Sequence, residues 1–215
     1  LISRNHSATH ILQAALIEVL GSHIKQAGSL VSADKLRFDF THPHSLSEEE
    51  INKVENIVNK NINLAKNVSA NLMSKEEALS KGALALFGEK YHDQVRVLEI
   101  GDFSTELCGG THVQNTSEIG LFNIIYESSL SSGVRRIEAL TSSNAIKYLT
   151  NRSNILRNIE TNLSLSSEKL VTRIENIQEE LKSLRKKVSH LKESIQTKNT
   201  KSLFSNPIEI NNSFV

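Results

Sequence analysis

Four residues in this chain have the types and the spacing to hold a metal ion. His6 and His10 stand four positions apart, and so do Cys108 and His112. Three imidazoles and the only thiol of the chain make four N/S donors, the set most often found around Zn2+. A thiolate among imidazoles is borderline-soft, which suits zinc and disfavours Mg2+ or Ca2+. Roughly 100 residues separate the two pairs, which is not a zinc-finger spacing. Such a site would instead tie the first helix to a late sheet. A protease of the His-Glu-x-x-His kind is excluded, because Ser7 stands where the glutamate is needed. Cys108 as a nucleophile is the weaker chemical option, since no His partner oriented by Asp or Asn is evident. A closed set of four protein ligands is more often structural than catalytic, and catalysis needs an open coordination position or a pocket beside the metal. The spacing leaves both open.

The elements that must position these donors are readable from periodicity. Residues 5–20 predict a helix, with Ala8, Ile11, Leu12, Ala15, Leu16, Val19 and Leu20 as its buried stripe and Gly21 as its stop. On that helix His6 and His10 share a face opposite the centre of the stripe. Cys108-Gly109-Gly110-Thr111-His112 predicts a turn that its two glycines allow to fold tightly. Residues 22–33 read as a loop, and Leu36–Phe40 alternates as a half-buried strand. His42 and His44 read as exposed turn residues. Ser47 with Glu50, and Ser74 with Glu77, are capping signatures for two further helices, with a short strand at Val68–Leu72 between them. The apolar run 83–87 leads to a turn at 88–90. Val95–Ile100, Leu121–Tyr126 and Val134–Leu140 predict strands, the last two joined as a hairpin through a long loop, Ser128–Gly133.

The expected fold class is therefore α+β, a mostly antiparallel sheet packed with helices, followed by a long C-terminal helix or coiled coil. From Leu170 to Ile195 apolar residues recur at alternating spacings of four and three. With Ile174, Leu181, Val188 and Ile195 at position a, three of four d positions are leucine, which favours a parallel two-stranded coil about 39 Å long. A homodimer through residues 170–195 is one expectation; packing of the seam on the chain's own body or on a return helix is the other. Arg185-Lys186-Lys187 reads as a solvated helix face. The expected divisions are residues 1–145, 146–197 and a polar, disordered tail at 198–215.

Composition narrows the partners. With 25 basic and 24 acidic residues, the net charge of +1 gives no global basic field, so any contact with nucleic acid must be local. One cysteine rules out an internal disulfide and fits a reducing, cytoplasmic location. No apolar run approaches the ~20 residues that span a bilayer, so no membrane partner is expected. The chain starts at Leu1, without Met, and is expected to be part of a longer protein.

Several stretches carry a resemblance. Arg4-Asn5-His6-Ser7-Ala8-Thr9-His10 resembles the first editing motif of the alanyl-tRNA synthetases. Similar to that family are also Lys25-Gln26-Ala27-Gly28-Ser29-Leu30-Val31, Leu36-Arg37-Phe38-Asp39-Phe40, Gly82-Ala83 with Leu86-Phe87-Gly88-Glu89-Lys90-Tyr91, and Gly133-Val134-Arg135-Arg136-Ile137-Glu138-Ala139. The most specific stretch is Gly101-Asp102-Phe103-Ser104 followed by Glu106-Leu107-Cys108-Gly109-Gly110-Thr111-His112-Val113. The resemblance runs in order over residues 1 to about 145, and the heptad region resembles the connector that follows in the family.

The resemblance implies an editing-domain fold, zinc held by His6, His10, Cys108 and His112, and hydrolysis of seryl- or glycyl-tRNA(Ala) made in error. Gln26, Ser29, Thr9 and Asp102 become candidates to hold substrate or water. Arg4, Arg135 and Arg136 become candidates for the acceptor end of tRNA(Ala), with ion pairing inside the sheet as the alternative for the last two. The ATP and alanine sites of the family's charging core, the small β-rich part before the first His pair and the C-terminal globular domain match nothing in these residues. The chain is therefore expected not to charge tRNA, and to deacylate weakly by itself. A non-enzymatic, zinc-stabilised module for tRNA binding and dimerisation is the rival expectation; a free-standing editing factor is a third.

Overall fold

The computed structural model describes residues 1–84, 92–203, 209–210 and 213–214, with side chains as far as Lys198. The turn expected at 88–90 lies outside the described residues. Two compact units are formed, Leu1–Arg152 and Ser153–Val215.

In the first unit everything is arranged about helix α1, Ile2–Leu20, which ends at Gly21 as its apolar stripe predicts. Sheet one has the order β1-β2-β7-β6 and is antiparallel throughout: β1 Gln26–Val31, β2 Leu36–Thr41, β6 Phe122–Ser131 and β7 Val134–Thr141. Sheet two, also antiparallel, has the order β3-β4-β5: β3 Val68–Ser74, β4 Gln94–Ile100 and β5 Ser104–Leu107. One core joins both sheets to the helix, with Ala8, Ile11, Leu12 and Leu16 of α1 meeting Phe38, Phe40 and Ile137 of sheet one and Leu98 and Ile100 of sheet two. Helix α2, Glu48–Asn63, packs beside α1 through Val54, Val58 and Ile62. Its N-terminus is the capping box predicted from Ser47 and Glu50. Ser74 caps the short helix α3, Lys75–Ser80, as expected from its spacing to Glu77.

Strand β4 explains its own unbroken apolar sequence. Leu98 and Ile100 face the main core, while Val95 and Val97 face a second small core with Ala78 of α3 and Leu107 of β5. A strand buried on both faces does not alternate.

Three local expectations are corrected. The segment read as a loop at 22–33 contains β1, an edge strand whose bulge between Gln26 and Gly28 spoils the period-2 pattern. The loop expected over Ser128–Gly133 shrinks to Ser132-Gly133, because Ser128–Ser131 continue β6; Gly133 has φ 72°, the left-handed conformation this tight turn requires. The helical segment after 142 is two helices, α4 Ser142–Leu163 and α5 Ser167–Leu203. Ser164 is left-handed (φ 51°), and the Glu160 carboxylate accepts from the Ser167 N–H at 2.8 Å, capping the new helix. Helix α5 passes the expected tail boundary at 198, and a two-residue antiparallel pair follows, β8 Glu209–Ile210 with β9 Ser213–Phe214. In α5 the heptad residues Ile174, Leu181, Leu184, Val188, Leu191 and Ile195 are exposed. No helix among the described residues is long and apolar enough to cross a membrane.

Asn5 fixes where α1 enters the core. Its side-chain amide donates to the Ser32 carbonyl at 2.8 Å, and its carbonyl accepts from the Thr141 hydroxyl at 2.6 Å. The residue is 1% exposed, so its loss leaves buried polar groups unpaired. Asn5→Ala is expected to destabilise the protein by about 2–3 kcal/mol in a denaturant titration; a change below about 0.5 kcal/mol would show the two bonds to be dispensable.

Candidate metal centre

The four donors converge. The ligand atoms of His6, His10, Cys108 and His112 all lie within 4.8 Å of one another, and no other group of three or more such side chains with that proximity occurs among the described residues. Cys108 Sγ is 3.2 Å from His112 Nε2 and 3.5 Å from His6 Nε2. The three imidazole rings surround a common point, with centroids 4.3–5.1 Å apart. Helix α1 supplies two rings one turn apart, and the turn leaving β5 supplies the thiol and the third ring.

The surroundings refine what the spacing suggested. His10 was expected on a face away from the core, yet it is buried. The N-terminal half of α1 is covered on nearly every side, because β5 and its following turn close over the face that the apolar stripe leaves open. Of the two glycines, Gly110 is the one whose role is visible. A Cβ there would stand 2.1 Å from His6 Cε1, so only glycine lets the turn reach the ring; neither Gly109 nor Gly110 has a positive φ. Arg96 clamps the turn, donating from Nη1 to the carbonyls of Cys108 and Gly110 at 2.8 Å each.

Two residues missed in the sequence orient the rings. Glu106 is 3% exposed; its Oε2 lies 2.5 Å from His10 Nδ1 and its Oε1 accepts from the Ser104 hydroxyl at 2.9 Å. The Ser7 hydroxyl lies 3.2 Å from His112 Nδ1 and accepts from the Val113 N–H at the same distance. Both leave Nε2 free to face the cluster. The available signal was period 2 in β5, which puts Ser104, Glu106 and then Cys108 on one side.

Burial raises the pKa of a thiol, but the imidazoles of His10, His112 and His6 and the Gly110 N–H outweigh it and bring Cys108 down to about 3. Burial pushes His10 down, and the Glu106 charge at its Nδ1 reverses that, to about 10. Burial holds His112 below the ordinary imidazole range, with Cys108 opposing. Thiolate and neutral imidazole are the forms a metal binds, so an ion entering here displaces the second proton that His10 holds. His10 Nε2 is buried with no hydrogen-bond partner, an omission that a coordinated cation at this point repairs. The donor set, the orphaned nitrogen and the oriented rings fit zinc.

The remaining predicted site residues are placed as follows. Gln26 and Ser29 lie on edge strand β1 opposite Phe40 and Phe38, on the side of sheet one where α1 packs; Ser29 is exposed and Gln26 half-buried, and the Gln26 amide donates to the Ser29 hydroxyl at 3.3 Å. The Thr9 hydroxyl is buried and donates to the Asn5 carbonyl of its own helix at 2.8 Å. Asp102 is 88% exposed and pairs with Lys66, which holds its carboxyl below the usual range. It lines an open cavity of about 510 Å3 with Ile17, Leu84 and Phe103, none of them a ligand of the cluster. Arg4 donates to the Ser142 hydroxyl at 2.6 Å. Arg135 forms a forked pair with Glu127 at 2.6 and 2.7 Å, and Arg136 one with buried Asp39 at 2.7 and 2.9 Å. Both are thus engaged inside the sheet. As neighbours on β7 they face opposite sides, so they do not form one joint patch.

Similarity to known proteins covers nearly the whole chain. Residues 95–138, which include Glu106, Cys108 and His112, match the family described as threonyl and alanyl tRNA synthetase second additional domain. An alanine–tRNA ligase of Clostridioides difficile is 46% identical over 209 residues, 97% of this chain and 24% of the relative. One of Fervidobacterium nodosum is 51% identical over 192 residues, 89% of this chain and 22% of the relative. One of Coxiella burnetii is 46% identical over 209 residues. The chain spans about a quarter of the length of the curated relatives it matches.

Two outcomes are expected. Gly110→Ala drives a methyl group into the His6 ring and should lower zinc content, measured by atomic emission, from about one ion per chain to well below it; full occupancy would show that the close approach does not matter. In metal-free protein the sole thiol, with a pKa of about 3, stays a thiolate across neutral pH. Its alkylation rate by iodoacetamide should vary less than about twofold between pH 5 and 8, whereas an ordinary thiol of pKa about 8.5 slows about tenfold per unit below that value. Added zinc should block the reaction.

Proposed function

Since this chain is similar, over nearly its whole length, to a segment of the alanine–tRNA ligases, we propose that it is the proofreading part of such an enzyme, hydrolysing the ester of Ser-tRNA(Ala) and Gly-tRNA(Ala). The single observation that supports this best is the convergence of three imidazoles and a thiolate around one point, with Cys108 and His112 inside the stretch that matches the family and His6 and His10 brought to it by α1.

The need for such a site follows from binding energetics. A pocket that accepts alanine cannot exclude glycine by size, and it rejects the extra hydroxyl of serine only weakly. A second, hydrolytic site corrects both errors if it contains a polar group that the serine hydroxyl satisfies and the alanine methyl leaves unpaired. Gln26 and Ser29, an amide and a hydroxyl on the α1 side of sheet one, are the residues we assign to that discrimination. The Thr9 hydroxyl donates to the Asn5 carbonyl and keeps its lone pairs to accept from substrate or water. His6, His10, Cys108 and His112 would hold zinc. When bound there, zinc supplies a fixed positive charge beside the ester, to position or acidify water. Ser7 and Glu106 keep the imidazoles of His112 and His10 in the ligating tautomer, and Arg96 keeps the turn closed on His6.

In the same reading the acceptor end of tRNA(Ala) is the partner, residues 1–145 form the editing domain and residues 146–197 the connector. The exposed seam of 170–195 pairs two copies as a parallel coil, and the protein works in the cytoplasm, where tRNA is charged. The charging of tRNA with alanine and ATP belongs to the longer enzyme.

Cys108→Ala, made in the full-length protein, is expected to lower the rate of serine release from Ser-tRNA(Ala) about tenfold or more while alanine attachment continues. An unchanged rate of release would overturn the proposal. Salt-dependent tRNA binding with no deacylation by the intact wild-type protein would instead identify a non-enzymatic binding module.

A further inference from the structure

A buried carboxylate stands beside the metal centre without belonging to its ligand set. Glu106 has both oxygens engaged, one by His10 Nδ1 and one by the Ser104 hydroxyl, and neither is aimed at the cluster. A ring that binds a cation through Nε2 keeps its proton on Nδ1, so this contact fixes the tautomer of His10. Ser7 does the same for His112, but Ser7 is neutral. Glu106 is therefore more than a tautomer lock.

The charge count shows what it adds. Three neutral imidazoles and one thiolate around a divalent cation carry a net charge of +1, in a place where His10 and Glu106 are buried and the other three donors half-buried. An uncompensated charge at such a depth is costly. Arg96, bonded to the carbonyls of Cys108 and Gly110, adds positive charge and cannot compensate. Glu106 is the only acidic side chain among the described residues that hydrogen-bonds a ligand, and its charge brings the ion, the four donors and itself to zero. A monovalent soft cation such as Cu+ also suits a thiolate with imidazoles. With Cu+ the four-donor set is already neutral, and the Glu106 charge attracts a monovalent ion about half as strongly as a divalent one at the same point.

We infer that Glu106 is a positioning residue that also sets the charge of the ion the site accepts, favouring a divalent over a monovalent cation at the same four donors. This rests on the metal-centre reading above.

The experiment compares wild-type chain with Glu106→Gln, which keeps the shape and can still accept from His10. Zn2+ affinity is measured by competition with a chromophoric chelator, and Cu+ affinity anaerobically against a Cu+-specific chelator. The Gln variant should bind Zn2+ about 10–100-fold more weakly and Cu+ only about 3–10-fold more weakly, so that the Zn2+/Cu+ affinity ratio falls about 3–10-fold. Equal losses for both ions, or no loss for either, would overturn the inference, since a merely structural role weakens both alike. If Glu106→Gln is unfolded by circular dichroism, Glu106→Asp decides. It keeps the charge, so its ratio should stay within about threefold of wild type even where both affinities drop, and a tenfold fall in ratio would overturn the inference. Wild-type chain that binds neither ion would refute the metal centre itself, a result distinct from any behaviour of the variants.

Discussion

A thiolate and three imidazoles do not gather in a protein interior without compensation. Each loses water on burial, and in this chain the losses are offset by contacts that reach well outside the cluster: Glu106 on His10, Ser7 on His112, the Gly110 N–H on Cys108, and Arg96 on the carbonyls of the turn. That set of polar contacts is the constraint on which the first unit depends. It holds residues 6–10 against residues 106–113, and so it draws sheet two over a helix that already lies on sheet one. Two sheets of three and four strands share a single helix as the centre of their core.

The same constraint explains the composition of α1. A surface helix shows one apolar stripe, but this one also buries Asn5, in line with Leu12 and Leu16, and Ser7, Thr9, His10 and Gln13 around the rest of its circumference. Each of the first four has a polar partner: Asn5 meets Ser32 and Thr141, Ser7 meets His112 and Val113, Thr9 returns to its own helix, and His10 meets Glu106. The helix is thus buried through hydrophobic contact on one side and through hydrogen bonds on the other, where His10 Nε2 and Gln13 Oε1 have no hydrogen-bond partner. A low amphipathic contrast is the natural result, and His6 and His10 stand on the polar side.

Charge in sheet one is handled in a comparable way. Asp39 is buried and held by the fork of Arg136, with Arg37 3.6 Å away; Lys35 reaches Glu138 across the same pair of strands. Arginines that looked available for a phosphate are committed to carboxylates.

Much of this was legible in the sequence, because it depends on short-range periodicity. Helix α1 with its stop, the two capped helices, β2, β4 and β7, and the two pairs of donors at spacing four follow from which side chains share a face one turn or two residues apart. The α+β class follows from their order. Where the local signal is interrupted the sequence misleads. A bulge hides β1, serines disguise the end of β6, and a left-handed serine splits a continuous helical pattern at 164. Residues about 100 positions apart meet for a different reason. Which face of α1 would be covered, that Glu106 would stand behind His10, that Gly110 must be bare to admit His6, and that Arg135 and Arg136 would be spent on Glu127 and Asp39 depend on how two sheets close over one helix. No local pattern encodes that distance, so only the tertiary structure decided it.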